Sequence, residues 1–97
     1  MIIYVDIDNT IFDTQGMDYE GSKPILNRIE KMNKLYDDGH TIVYWTARGS
    51  GSGKDWSEVT KEQFKRYSVK YHTLKFEKPI YDIFIDDKNI NSEEFFK

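Results

Sequence analysis

Three places in the chain set oxygen donors or a cation directly after a short apolar run. Asp6 and Asp8 follow Ile2-Ile3-Tyr4-Val5, with the hydroxyl of Thr10 just beyond; Thr46-Ala47-Arg48 follows Thr41-Ile42-Val43-Tyr44-Trp45; Asp86-Asp87 follows Ile83-Phe84-Ile85, with Lys78 upstream. Residues i and i+2 of a strand share a face, so Asp6 and Asp8 are set against each other. Like charges that close are kept with a cation, a proton or a basic partner. If the apolar runs are parallel strands, their C-terminal ends share one rim, where open α/β sheets bind their ligands. Asp6, Asp8, Thr46, Asp86 and Asp87 then line a small space, with Lys78 entering from the segment before the last strand. Four carboxylates there require a cation, and an all-oxygen donor set with room for water suits Mg²⁺. Lys78 and the Thr46 hydroxyl add what a dianionic phosphoryl group needs.

The runs read as strands buried on both faces, as in a parallel sheet. The first spans about 2–6. Residues 11–23 read as a loop or small hairpin, which Ile11, Phe12, Met17 and Tyr19 either fold over the site or merely pack down. Pro24 suits the first helical position. Ile25, Ile29, Met32 and Tyr36 then recur at helical spacing and Gly39 suits a C-cap, predicting a helix over 24–37. The second strand is 41–45. Asp55 or Ser57 caps a helix over about 57–69, with Val59, Thr60, Phe64 and Tyr67 as its stripe. Residues 71–76 form a short strand or extended link, in which His72 is a surface or capping histidine. Residues 83–85 are predicted as a buried strand. Ser92-Glu93-Glu94 opens a terminal helix that Phe95 and Phe96 pack on the core. Strands alternating with helices make this an α/β fold.

Composition narrows the function classes. A chain of 97 residues suits one domain, 1–97. A net charge of −3 and the lack of a long basic run argue against sequence-independent nucleic-acid binding. With no cysteine, disulfide scaffolds and thiolate metal sites are excluded. Met1–Val5 meets Asp6 at once and has no basic segment before it, unlike a signal peptide. No run approaches the ~20 apolar residues of a membrane span. A cytoplasmic, non-membrane protein is the expectation. Gly49-Ser50-Gly51-Ser52-Gly53-Lys54 is not a phosphate-cradling P-loop, because Arg48 stands where the first glycine belongs and Asp55 where Ser or Thr should follow the lysine.

In chain order, Asp6-Ile7-Asp8-Asn9-Thr10, then Thr46, then Lys78, then Asp86-Asp87 resemble the four motifs of the haloacid dehalogenase-like (HAD) phosphatases. The resemblance runs from Asp6 to Asp87. It implies a small Rossmann-like three-layer fold with a mostly parallel sheet. It also implies that Asp6 is a nucleophile forming an aspartyl-phosphate and Asp8 the general acid and then base. Thr46, Ala47, Arg48 and Lys78 would form the phosphate-binding set. Asp6, Asp8 through its carbonyl, and Asp86 would hold Mg²⁺, with Asp87 a ligand or its neighbour. Arg48 would bind phosphate or leaving group, or else make a surface salt bridge. Residues 11–23 are too few for a cap domain, and 49–77 are needed for the core, so the site is expected to be open unless a second subunit closes it; a homo-oligomer is compatible. Thr46-Ala47-Arg48, Lys78-Pro79, Ile85-Asp86-Asp87-Lys88 and the Asn91-to-Phe96 tail are similar to small capless phosphatases of capsular or surface polysaccharide biosynthesis. That likeness implies a sugar-phosphate substrate. The alternatives are a nucleotide or nucleic-acid 3′-phosphatase, a phosphorylation-regulated receiver domain, whose motif order differs, and an inactive HAD scaffold binding Mg²⁺ and a partner.

Overall fold

The apolar run Ile2-Ile3-Tyr4-Val5 forms strand β1 (Ile2–Val5), and the β-branched and aromatic run after the first helix forms β4 (Thr41–Trp45). They pair in parallel, Ile2 beside Thr41 and Val5 beside Tyr44. A third parallel strand, β5 (Thr73–Lys75), pairs with β4 on its far side, giving the order β1-β4-β5. This computed structural model describes all 97 residues.

Between β1 and β4 lie a hairpin and a helix. β2 (Phe12–Asp13) and β3 (Lys23–Pro24) pair antiparallel, so residues 11–23 are a small hairpin. Pro24 does not open the helix. It pairs with Phe12 in the hairpin, where a residue without an N–H is tolerated at an edge. Helix α1 (Leu26–Asp37) begins after Ile25, which makes no side-chain cap. Helix α2 (Ser57–Arg66) is shorter than 57–69, because Tyr67 ends it and Ser68 adopts the left-handed φ of 55°. Asp55 Oδ1 accepts from Ser57 N–H at its start, and hydrogen bonding by the Ser57 hydroxyl, then by this N–H, holds the carboxyl below the usual carboxylate range. Helix α3 (Ser92–Phe95) is capped by Asn91, whose side chain accepts from Glu93 N–H. Gly49 must be glycine: its φ is +83°, and a Cβ there would run into the Lys54 carbonyl.

The side-chain alternation of the strands divides the sheet into unlike faces. Ile3, Val5, Ile42, Tyr44 and Leu74 belong to one core cluster with Ile29 and Met32 of α1 and Phe64 of α2. The opposite face carries Ile2, Tyr4, Trp45 and Lys75. There Tyr4 and Trp45 meet edge to face, 6.1 Å between centroids, with the Lys75 ammonium over both rings. Ile2 is 71% exposed and Tyr4 54%. α1 and α2 therefore cover one face only, and α3 packs on α1 through Lys31 and Phe95. The chain forms two layers rather than the expected three.

The second departure is at 83–85. No strand forms there, and Ile83, Phe84 and Ile85 are exposed. An apolar run becomes a strand only when a sheet edge receives it, and within this copy none does.

Tyr44 is fully buried, and its hydroxyl has no hydrogen-bond partner. Tyr44→Phe should raise unfolding free energy by about 1 kcal/mol in a urea titration, since an unpaired buried hydroxyl costs desolvation. Burial also pushes this phenol well above its ordinary value of 10.0. The unfolded chain thus loses that proton first as pH rises, and stability should fall from about pH 10 upward. The same variant should lose part of that alkaline slope. Phe64→Ala, in the centre of the core, should cost about 3–5 kcal/mol.

Candidate active site

The chain turns sharply after β1. The Ile7 carbonyl accepts from the N–H groups of Thr10, Ile11 and Phe12, and Asn9 takes the left-handed region at φ 61°. Asparagine tolerates that conformation. Ile7 and Ile11 are fully buried and anchor the turn, which leaves the Asp6 and Asp8 side chains at the C-terminal rim of β1. Thr46 leaves β4 on the same rim, as the parallel register requires. Its carbonyl accepts from Lys78 N–H at 3.1 Å, which brings the segment after β5 across the rim.

Two pairs of side chains result. Asp6 is the more open: its side chain is 39% exposed, its Oδ1 lies 3.5 Å from Lys78 Nζ, and its Oδ2 accepts from Thr10 Oγ1. Asp8 is 19% exposed and faces inward. Arg48 Nε and Nη2 grip it at 3.0 and 2.8 Å, and Thr14 Oγ1 donates to it at 2.6 Å. The repulsion between Asp6 and Asp8 expected from their spacing is thus resolved by giving each carboxylate its own cation.

Arg48 is neither a surface salt bridge nor a free phosphate ligand. Its side chain is fully buried and its guanidinium N–H groups are all engaged. Nη1 donates to Thr60 Oγ1 and Gln63 Oε1 on α2, at 3.0 and 2.7 Å. Nη2 also reaches Ser22 Oγ of the hairpin, and the Tyr19 ring lies 5.1 Å from the guanidinium carbon. Burial and the Asp8 charge raise the Tyr19 phenol, against the opposing pull of Arg48. Thr46 is buried, and its hydroxyl accepts from Arg48 N–H. Ala47 takes part through its carbonyl, which accepts from Ser50 N–H.

Asp86 and Asp87 do not join the rim group. They lie on the exposed segment after Lys78, and no three carboxylate or histidine side chains come together anywhere as a metal would need. Within one copy the donor set does not fit Mg²⁺. His72 is an exposed capping residue: its Nδ1 accepts from Ile42 N–H while its ring stacks on Tyr36.

Thr14, Ser22, Thr60 and Gln63, which complete the Arg48 cradle, were not legible as site residues. Thr60 falls in the helical stripe with Phe64, and the others look like ordinary polar surface. Beside Lys78 lies an open recess of about 450 Å³, lined by Gly49, Ser50, Gly53, Glu77, Pro79 and Ile80. A larger recess, about 680 Å³, lies along α1 and away from these carboxylates, so it has no part in this chemistry.

The class defined is a small α/β domain with a three-stranded parallel sheet and a carboxylate pair at its C-terminal rim. The fold is similar to that of a Vibrio cholerae protein whose crystal structure was solved as an MCSG target, with a TM-score of 0.86 and 26% identity over 98% of this chain and 86% of that one. No protein-family model matches the chain, and no curated protein does. No helix is long and apolar enough to cross a membrane.

Arg48→Met should cost about 3–5 kcal/mol in urea unfolding, because it strands the Asp8 carboxylate beside an apolar side chain. Arg48→Lys should also destabilise, since an ammonium cannot span Asp8, Thr60 and Gln63 together. A loss below about 1 kcal/mol for both would contradict the buried cradle.

Proposed function

We propose that the chain is a phosphomonoester hydrolase of HAD type, working through an aspartyl-phosphate on Asp6. The observation that carries this reading is the pairing of a half-open carboxylate, Asp6, with the Lys78 ammonium at 3.5 Å on the C-terminal rim of a parallel sheet. The motif order Asp6–Asp8–Thr10, Thr46, Lys78, Asp86–Asp87 supports it as well. An Asp6 oxygen attacks phosphorus, the bond to the leaving oxygen breaks, and water then cleaves the acyl phosphate to release inorganic phosphate and restore Asp6. Lys78 offsets charge on the phosphoryl oxygens. For Asp8 to pass a proton to the leaving oxygen it must carry that proton and turn from Arg48 and Thr14, which both donate to it, and it takes a proton back from the water that cleaves the acyl phosphate. Mg²⁺ belongs to this reading through Asp86, which a single copy does not bring to Asp6.

A sugar phosphate is the proposed substrate class. The recess beside Lys78 offers the Ser50 hydroxyl and the Glu77 carboxylate to a hydroxyl-rich group.

Hydrolysis of p-nitrophenyl phosphate should require Mg²⁺, stop with EDTA, and vanish in Asp6→Asn, which should keep its unfolding midpoint. Lys78→Ala should lower kcat/KM by about 100-fold. Sugar phosphates should outrank nucleotides in a substrate panel. Full activity in Asp6→Asn rejects the mechanism, and a nucleotide preference rejects the substrate class.

A further inference from the structure

One copy of the chain leaves two unsatisfied surfaces that complement each other. The first is the outer edge of β1, which pairs with β4 on one side only. Its backbone N–H and C=O groups on the other side are open, and Ile2-Ile3-Tyr4-Val5 contains none of the lysines or prolines that blunt an exposed edge. The second is the segment from Pro79 to Asn91. It exposes Ile80, Ile83, Phe84, Ile85 and Ile90, with Ile85 93% exposed, and forms no regular structure. Yet both its ends are held. Lys78 is tied to Thr46 and to Ser50 Oγ, and the following α3 is tied to α1 by the Arg28–Glu93 ion pair and by Lys31 to the Phe95 carbonyl. The segment is an arm fixed at both ends, with strand-forming apolar residues on solvent and Asp86-Asp87 at its C-terminal side. Exposed apolar stretches of this kind mark association surfaces.

We propose that a second copy of this chain receives the arm: residues 83–85 of each copy add in parallel to the β1 edge of the other. In the register that pairs Phe84 with Tyr4, Asp86 comes level with Asp6 of the other copy. The exchange is reciprocal and closes as a two-fold dimer, and backbone pairing along β1 supplies the contact.

Chain length disfavours the same docking within one copy. Lys78 is held at the rim by Thr46, and Ile83 is five residues on. Extended backbone covers at most about 18 Å in that span. Reaching the base of its own β1 edge means crossing two strand spacings and descending the strand, about 16 Å in a straight line, which leaves only about 2 Å for the reversal of direction. In the copy-to-copy route association brings the other copy's β1 edge to the arm, which need not cross its own sheet. Only the use made of Asp86 rests on the phosphatase reading; the exchange itself does not.

The natural absence of cysteine makes cross-linking a clean test. Tyr4→Cys combined with Phe84→Cys, two exposed positions, should give a disulfide-linked dimer under mild oxidation, reversed by reductant, while neither single variant should. A linked monomer places the arm on its own β1 and overturns the proposal, as does the absence of any link. The second arm co-expresses Asp6→Asn with Asp86→Asn, each inactive alone. Exchanged mixed dimers hold one intact site, so activity per chain should return to about a quarter of wild type. No recovery, with the wild type active, overturns the proposal. A linked dimer with an inactive wild type leaves the exchange standing and rejects the phosphatase reading.

Discussion

The buried ion pair between Arg48 and Asp8 is the constraint on which the rest of the site depends. A guanidinium with no exposed surface must satisfy five N–H donors inside the protein, or its desolvation goes uncompensated. Asp8 takes up Nε and part of Nη2, and the rest is met by Thr60, Gln63 and Ser22. These partners come from the turn after β1, from α2 and from the β2–β3 hairpin, so one side chain at the end of β4 fixes three elements. Gln63 Nε2 returns the tie by donating to the Tyr19 carbonyl of the hairpin. Asp8 is therefore structural before it is chemical, and under the proposed mechanism a substitution there perturbs the fold and the proton transfer together.

The pairing also separates two carboxylates that sit only two residues apart. Asp8 is drawn inward by Arg48 and Thr14, while Asp6 stays on the rim with Lys78, Thr10 and solvent. Neighbouring acids with unlike surroundings are how one site divides attack from proton transfer. The one-sided sheet extends the same logic. All helices lie on the face of Val5 and Tyr44, so the site opens at an edge and a face that no helix of the single copy covers.

The periodic parts of the fold were legible in the sequence. β1, β4 and α1 follow from apolar runs and 3.6-residue spacing, and their parallel order puts Asp6 and Thr46 on one rim as expected. Lys78 lies near Asp6, because the segment carrying it crosses that rim. The place of Pro24 is not legible, because a missing N–H suits a hairpin edge as well as a first helical turn. Residues 83–85 have the composition of a strand, but pairing depends on an available edge, which composition does not encode. The inward turn of Arg48 is not legible in the sequence, since its uncharged partners are scattered from Ser22 to Gln63 and carry no local signal that they converge.

The measurement closest to the chemistry is acid-quenched mass spectrometry after mixing the protein with p-nitrophenyl phosphate and Mg²⁺. A phosphoryl group carried on Asp6, absent from Asp6→Asn, is the expected result. Hydrolysis that proceeds with no phosphoryl group on Asp6, or with one on a different residue, contradicts Asp6 as the nucleophile.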